Sequence, residues 1–237
     1  VKQIAQEESV VIFDGEADQG YHNYTDFWWT NMQCPLAYKY LDLDSMYPAR
    51  YFSGFELKEG VEVLYQKMQA VYSNVFGKNF QSILELGTGG GEITLQFQKH
   101  NLDYVGVEGT SAGVAKLIEF GLDADRIIHS NLKFMKQLDR KFDLVMCTEV
   151  AEHLEPTFAS KIVSNCTSHG NAVWFSAPNP GTGTMGHYHH ITAMPIEAWD
   201  NLFAQFGFTY HVQLSGMPHD RGNRLYFNQE AADSLTR

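Results

Sequence analysis

The sequence is short of cysteine, basic residues and long apolar runs, and each shortage excludes a class of protein. Its three cysteines, Cys34, Cys147 and Cys166, show no Cys-x-x-Cys spacing, which argues against a disulfide framework and a cysteine-built zinc site. There are 17 Lys and Arg against 28 Asp and Glu, a formal net charge of -11, so we expect nucleic acid to be an unfavourable partner. No apolar run approaches the roughly 18 residues of a membrane span, and no signal pattern opens the chain. We therefore predict a cytoplasmic protein without membrane association. Since the chain begins at Val1, we expect its native N-terminus to be missing or processed.

Residues 1–58 differ in composition from the rest of the chain. They lack sustained periodicity and are rich in aromatics, as in "YHNYTDFWW" and "YKYLDLDSMYPARYF". We predict an N-terminal extension that is either a lid over a binding site or a set of aromatic plugs that fasten it to the core. The aromatics considered for a lid are Tyr21, Tyr24, Phe27, Trp28 and Trp29.

Residues 59–237 carry the periodic patterns of one folded domain. A helix is predicted where apolar residues recur at helical spacing, at Val61, Leu64, Met68, Val71 and Val75. Short apolar runs then alternate with helical or loop stretches, at 82–86, 104–107, 126–128, 142–147 and 171–176. This alternation predicts an α/β fold with a doubly wound, mostly parallel sheet. The segments "FTYHVQLSG" and "NRLYFNQ" predict an antiparallel pair at its end.

A glycine-rich loop, "ILELGTGGGEIT", follows the first predicted strand. No lysine follows its glycines, which excludes a nucleoside triphosphate-binding loop. The third glycine of a dinucleotide fingerprint is also missing, because Glu92 or Thr94 stands there. Glu85 precedes the glycines and suits an ammonium group rather than a pyrophosphate. The loop therefore predicts a ligand with an amino acid end.

The next two strands add a ribose and an adenine to this ligand. Glu108 ends the predicted strand in "YVGVEGT", and an acid at a strand end can accept both hydroxyls of a ribose. Ser130 and Asn131, in "IIHSNL", can meet an adenine edge. An amino acid, a ribose and an adenine together indicate S-adenosylmethionine.

Three motifs in order now indicate a family. The loop "LELGTGGGEIT", the strand "YVGVEGT" and the segment "FDLVMCTEVAEHLEP" resemble the successive motifs of class I S-adenosylmethionine-dependent methyltransferases, over about residues 80 to 210. The resemblance implies a seven-stranded sheet, with the cofactor across the strand ends, Glu85 near its ammonium and Glu108 on its ribose. The implied cofactor-binding residues are Glu85, Gly87, Thr88, Gly89, Gly91, Glu108, Gly109, Ser130, Asn131, Thr148 and Glu149. A nicotinamide dehydrogenase and a noncatalytic binding module remain the rival classes.

Two polar clusters follow the fourth and fifth predicted strands. Glu149, Glu152 and His153 lie in "TEVAEHLEP", where they can act as general base, as metal ligands or as a polar helix start. His187, His189 and His190 lie in the loop "SAPNPGTGTMGHYHHITAMP". A solvated, hydrogen-bonded loop is the alternative for these histidines.

The two clusters together resemble the metal-binding pattern of small-RNA 3′-terminal 2′-O-methyltransferases. That resemblance implies Glu149, Glu152, His153 and His190 as ligands of a divalent ion such as Mg²⁺ or Mn²⁺. A looser resemblance, carried by "HHITAMPIEAWDNLFAQFGF", is to small methyltransferases that modify sugars and natural products. The acidic charge favours a small polyhydroxylated molecule or a glycan as the acceptor, with RNA 2′-O-methylation as the alternative. The candidate catalytic residues are His153, His187 and His189.

Overall fold

The computed structural model describes residues 42–55, 60–178, 190, 192, 194–213 and 223–228. The described strands are β1 Ser82–Leu86, β2 Asp103–Glu108, β3 Ile127–His129, β4 Leu144–Thr148, β5 Ala172–Ser176, β6 Phe208–Gln213 and β7 Arg224–Asn228. The described α-helices are α1 Leu43–Met46, α2 Ala49–Phe52, α3 Val61–Phe76, α4 Glu92–Lys99, α5 Ser111–Glu119, α6 Ala159–His169 and α7 Ile196–Gln205. Short 3₁₀ helices span Ala124–Arg126, Ala151–His153 and Pro156–Phe158.

The strands form one seven-stranded sheet in the order β3-β2-β1-β4-β5-β7-β6. Strands β1 to β5 are parallel, whereas β7 is antiparallel to both β5 and β6. The carboxyl ends of β1, β2 and β4 therefore lie side by side at one edge, where open α/β sheets bind ligands. This architecture confirms the predicted α/β fold and its antiparallel finish.

Two apolar layers cover the two faces of the sheet. One contains Met68 and Phe97, and the other contains Ile162, Trp199 and Phe203. Because both faces are covered, the central strands are buried almost without interruption, and every residue of β5 is buried. This explains why the sequence shows continuous apolar runs at these strands instead of alternation.

Helix α3 confirms the predicted helix, and aromatic residues supply much of its buried face. Its fully buried side chains are Tyr65, Met68, Gln69, Tyr72 and Phe76, whereas the predicted Val61, Leu64, Val71 and Val75 are only partly buried. The aromatic residues offer more apolar area than the valines, so they occupy the centre of the interface. Gln69 tolerates burial because its side-chain amide forms two hydrogen bonds with Phe80, one from its N–H and one to its carbonyl, each at 3.1 Å.

The extension predicted for residues 1–58 is described only in part. The aromatics Tyr21, Tyr24, Phe27, Trp28 and Trp29 lie outside the described residues. In the described part of the chain, the helices are too short or too polar to cross a membrane.

Candidate active site

The glycine loop joins β1 to α4 through left-handed backbone. Gly87, Gly89 and Gly91 have φ values of 80°, 54° and 80°, which other residues rarely adopt. A Cβ atom at Gly87 would also lie 2.5 Å from Cγ2 of Val150. The loop can therefore pass close to Val150, in the segment after β4, because Gly87 lacks a side chain.

Glu85 is a buried acid directly below this loop. Its Oε2 accepts a hydrogen bond from Oγ1 of Thr94 at 2.6 Å. Burial raises the pKa of Glu85 to about 8, the Thr94 bond opposes this, and the charges of Glu92 and Glu108 raise it further. A cation placed beside this carboxyl group would favour its ionised form, so the site is electrostatically suited to an ammonium group.

Glu108 ends β2 and connects two loops. Its carboxylate accepts hydrogen bonds from N–H and Oγ1 of Thr110, at 3.0 and 2.8 Å. It also accepts from N–H of Gly89 at 3.2 Å and from Oγ1 of Thr88 at 3.3 Å. Burial raises the pKa of Glu108, while the bonds from Thr110 and Gly89 oppose the rise. The acid thereby holds the glycine loop against the loop that follows β2.

A pocket with a cavity volume of about 150 Å³ lies at this edge of the sheet. The residues of its wall that the sequence predicted are Gly87, Gly89, Glu108, Gly109, Asn131, Glu149 and His153. The residues that sequence reasoning missed are Leu43, Tyr47, Tyr51, Phe52, Thr110, Leu132, Lys133, Val150 and Leu154. Glu85, Thr88, Gly91, Ser130 and Thr148 lie behind or beside this wall, in the elements that shape it.

The loop after β3 is held by backbone and side-chain bonds. N–H of Ser130 donates to the carbonyl of Glu108 at 2.9 Å, so Ser130 continues the pairing of β2 with β3. Oδ1 of Asn131 accepts from N–H of Lys133 at 2.9 Å. Asn131 lines the pocket and Ser130 does not, which leaves Asn131 as the better placed of the two predicted adenine contacts.

The segment after β4 turns sharply at Glu149. This residue has a φ of 56°, which is uncommon outside glycine and marks a constrained turn. Its N–H donates to the carbonyl of Ser176 at 3.1 Å, and its Oε1 accepts from Oγ of Ser176 at 2.9 Å. Thr148 precedes it as the last residue of β4 and pairs with Ser176. The turn directs the next residues over the sheet edge.

Glu152, His153 and His190 meet beside this turn. Oε1 of Glu152 lies 3.8 Å from Nε2 of His153 and 3.9 Å from Nε2 of His190. One ligating atom from each residue lies within 4.8 Å of the others, and Glu152 is fully buried. The two imidazole rings contact edge to face, with centroids 4.7 Å apart. The structure thus brings together three of the four predicted metal ligands, while Glu149 bonds to Ser176.

Thr192 connects the segment that contains His190 to the segment that contains Glu152 and His153. Its N–H donates to the carbonyl of Glu152 at 2.9 Å, and its Oγ1 donates to the carbonyl of Leu154. These bonds join the segment before α7 to the segment after β4, and they place His190 near Glu152. His187 and His189 lie outside the described residues.

The comparisons with known proteins agree with this fold. Residues 61–213 match the family described as a methyltransferase domain, which is more than half of the 237 residues. No protein of curated function matches the sequence.

Solved structures share the fold at low sequence identity. The sugar N-methyltransferase KedS8 of a Streptoalloteichus species is 18% identical with a TM-score of 0.58, covering 74% of this chain and 89% of its own. The amino pentose methyltransferase CalS10 of Micromonospora echinaspora is 14% identical with a TM-score of 0.59, covering 80% and 98%. The methyltransferase domain of bacterial CtHen1-C is 18% identical with a TM-score of 0.51, covering 69% and 95%.

Proposed function

The chain belongs to the methyltransferase domain family, a class I S-adenosylmethionine-dependent methyltransferase family, and we propose that it methylates a hydroxyl group of a small polyhydroxylated molecule or a glycan. The observation that carries this proposal is the cluster of Glu152, His153 and His190, in which His153 lines the pocket and the other two residues lie next to it. The cluster combines a carboxylate with imidazoles, the groups that deprotonate a hydroxyl near neutral pH.

The loops at the sheet edge fit S-adenosylmethionine, which supplies an electrophilic methyl group on a sulfonium sulfur. Gly87 lines the pocket, and the absence of a side chain there lets Val150, which also lines it, pack against the loop. Glu85 gains a countercharge from the methionine ammonium, which offsets the burial that raises its pKa. Glu108 would accept hydrogen bonds from the ribose hydroxyls, and Asn131 would contact the adenine.

Among the three candidate catalytic histidines, His153 is the one that the structure describes, and we propose it as the general base. An alcohol with a pKa of about 16 is a poor nucleophile unless its proton is removed. The acceptor oxygen forms its bond to the methyl carbon as the bond from that carbon to sulfur breaks, and the hydroxyl proton passes to an imidazole nitrogen. The carboxylate of Glu152, 3.8 Å from Nε2 of His153, stabilises the resulting imidazolium. We propose His187 and His189 as acceptor contacts or alternative bases.

The same cluster fits a divalent ion. In an octahedral shell, Mg²⁺ ligands at about 2.1 Å lie roughly 3 Å apart when adjacent, so ligating atoms within 4.8 Å of one another need only small side-chain movements. Carboxylate and imidazole donors suit Mg²⁺ or Mn²⁺. We propose Glu152, His153 and His190 as ligands, with Glu149 as the fourth. A bound ion would lower the pKa of an acceptor hydroxyl.

The choice of acceptor rests on charge and on the likeness to sugar-modifying enzymes. A net charge of -11 disfavours binding to a polyanion. Two structural neighbours are described as methyltransferases of a sugar and of an amino pentose, which supports a small sugar-like acceptor. The 2′-hydroxyl at an RNA 3′ terminus is the second candidate, because its enzymes share the predicted arrangement of two glutamates and two histidines.

A methylation screen tests the reaction and the acceptor. The protein is incubated with S-adenosylmethionine and, separately, with sugars, amino sugars, phenols and short RNA, and S-adenosylhomocysteine release is measured. We expect turnover with a hydroxylated sugar and none with RNA. Turnover with RNA alone would establish the second candidate, and cofactor binding without turnover on any acceptor would indicate a noncatalytic module.

In the proposed organisation, residues 1–58 form an extension or lid, residues 59–237 bind the cofactor, and the protein acts in the cytoplasm.

Chelation and substitution separate the two forms of the mechanism. His190→Ala and Glu152→Gln should lower turnover by about 10²- to 10⁴-fold, whereas His129→Ala and Glu119→Gln serve as matched controls at exposed positions. Activity is measured after EDTA treatment and after Mg²⁺ or Mn²⁺ is restored. Metal analysis would verify that the chelated protein contains no ions. Full turnover in that protein would contradict the metal-dependent mechanism and leave a histidine as the base.

A further inference from the structure

The segment Asp42–Phe55 is docked on the two loops of the pocket. The carboxylate of Asp44 accepts from N–H and Oγ of Ser111, at 2.5 and 2.9 Å. The side chain of Leu43 occupies the space beside Gly109, where a Cβ atom would lie 2.7 Å from it. These contacts fix α1 against the start of α5, and they place Tyr47, which follows α1, at the pocket wall.

Tyr47 reaches from this segment to His153. Its hydroxyl oxygen lies 2.9 Å from Nδ1 of His153, and the two rings meet edge to face at 85° with centroids 5.8 Å apart. Tyr51 packs edge to face on Tyr47 at 5.1 Å, which restricts the rotation of the Tyr47 ring. The hydroxyl is thus held at one nitrogen of His153, while the other nitrogen, Nε2, lies 3.8 Å from Oε1 of Glu152.

The two nitrogens of a neutral imidazole have opposite roles. When Nδ1 carries the proton and donates it, Nε2 presents a lone pair that can accept a proton or ligate a metal. When Nε2 carries the proton, it can do neither. A partner at Nδ1 therefore decides whether Nε2, the nitrogen near Glu152, can accept a proton or bind a metal, as outer partners do for metal-ligating histidines.

We propose that Tyr47 is a positioning residue for the methyl-transfer site: its hydroxyl oxygen accepts the Nδ1 proton of His153 and thereby keeps Nε2 as the lone pair that faces Glu152 and His190. This inference rests on the role of His153 in the proposed function. Because Tyr47 belongs to a segment anchored through Asp44, docking of that segment also completes the orientation of the histidine.

The direct test is the tautomer of His153 in Tyr47→Phe, which keeps the ring and removes the hydroxyl. Protein labelled with ¹⁵N-histidine is saturated with S-adenosylhomocysteine, and the His153 signals are assigned through His153→Ala. We expect the wild type to show a protonated Nδ1 and an unprotonated Nε2. Tyr47→Phe should shift the population toward the Nε2 proton, whereas Tyr51→Phe, the matched loss of a hydroxyl in the same segment, should leave it unchanged. A protonated Nε2 in the wild type, or an identical tautomer in Tyr47→Phe, would overturn the proposal.

Two further measurements separate this inference from the proposed function. Calorimetry with S-adenosylhomocysteine should give the same affinity for Tyr47→Phe and the wild type within about twofold, since the hydroxyl faces His153. With an acceptor found in the screen, Tyr47→Phe should lower kcat by about 10- to 100-fold with little change in KM, and should add nothing in the His153→Ala background. An inactive His153→Ala beside a fully active Tyr47→Phe would refute the role of Tyr47 alone. A fully active His153→Ala would refute the role of His153 as base in the proposed function, while the tautomer would still test the contact.

Discussion

Replacing Glu85 with Gln should stabilise the ligand-free protein while it weakens cofactor binding. Burial is the largest cause that raises the pKa of Glu85 from its ordinary value of 4.5 to about 8. The unfolded chain therefore ionises this carboxyl group at a lower pH than the folded protein does. Below pH 4.5 the carboxyl group is protonated in both states, and the folded protein keeps its full stability. As the pH rises from 4.5 to about 8, the unfolded chain ionises first and this stability is lost.

The size of the effect follows from the interval between the two pKa values. Each unit corresponds to about 1.4 kcal/mol, so at pH 7 the mismatch lowers the free energy of unfolding by on the order of 3 kcal/mol. Glutamine has nearly the same shape and does not titrate, and its amide oxygen can still accept the bond from Thr94. Glu85→Gln should therefore recover much of this free energy at pH 7 and more at pH 8.5.

Urea unfolding at pH 5, 7 and 8.5 measures the difference between wild type and Glu85→Gln. Glu119→Gln is the matched control, because its side chain is 68% exposed. We expect the advantage of Glu85→Gln to grow by about 1.4 kcal/mol per pH unit up to about pH 8, while its affinity for S-adenosylhomocysteine falls at least tenfold. An advantage that stays constant with pH, or a variant less stable than the wild type at pH 8.5, would refute the reasoning.

Three more outcomes test the same site. Glu108→Gln should weaken S-adenosylhomocysteine binding by about 1–3 kcal/mol in calorimetry, because charge-assisted bonds to the ribose are lost; unchanged affinity would remove Glu108 from the site. Gly87→Ala should lower the free energy of unfolding by about 2 kcal/mol or more, since its Cβ would lie 2.5 Å from Val150, and Val150→Ala should restore only the part due to that contact. Binding of S-adenosylhomocysteine at pH 7 should release about one proton from Glu85, seen as a binding enthalpy that varies with the ionisation enthalpy of the buffer; a buffer-independent enthalpy would contradict the ammonium pairing.

The fold was predictable because its signals are local. Continuous apolar runs mark buried strands, and glycines mark the turn after β1, so the order of elements follows from the sequence. Glu85 and Glu108 lie at or near strand ends, and parallel strands bring their carboxyl ends to one edge. Their placement near each other needs only the strand order, which the family resemblance supplied.

The missed residues depend on contacts between distant parts of the chain. Tyr47 and His153 are separated by 106 positions, and nothing in the aromatic-rich stretch around Tyr47 distinguishes it from Tyr51. For the buried face of α3, periodicity selects Val71 and Val75 as readily as Tyr72 and Phe76. Volume and packing against the sheet decide between these faces, and a sequence pattern does not contain that information.

The candidate site joins three buried carboxyl groups at one sheet edge, and the structure accommodates each in a different way. Glu108 is held by hydrogen bonds from both flanking loops, the raised pKa of Glu85 keeps it largely protonated at pH 7, and Glu152 lies between two imidazoles. Burying an acid lowers stability unless a partner compensates. An ammonium, ribose hydroxyls and a reacting hydroxyl would supply such partners to Glu85, Glu108 and the Glu152 cluster in turn. Because burial raises the pKa of Glu85 to about 8 in the free protein, pairing with the proposed cofactor's ammonium would relieve that burial and favour binding.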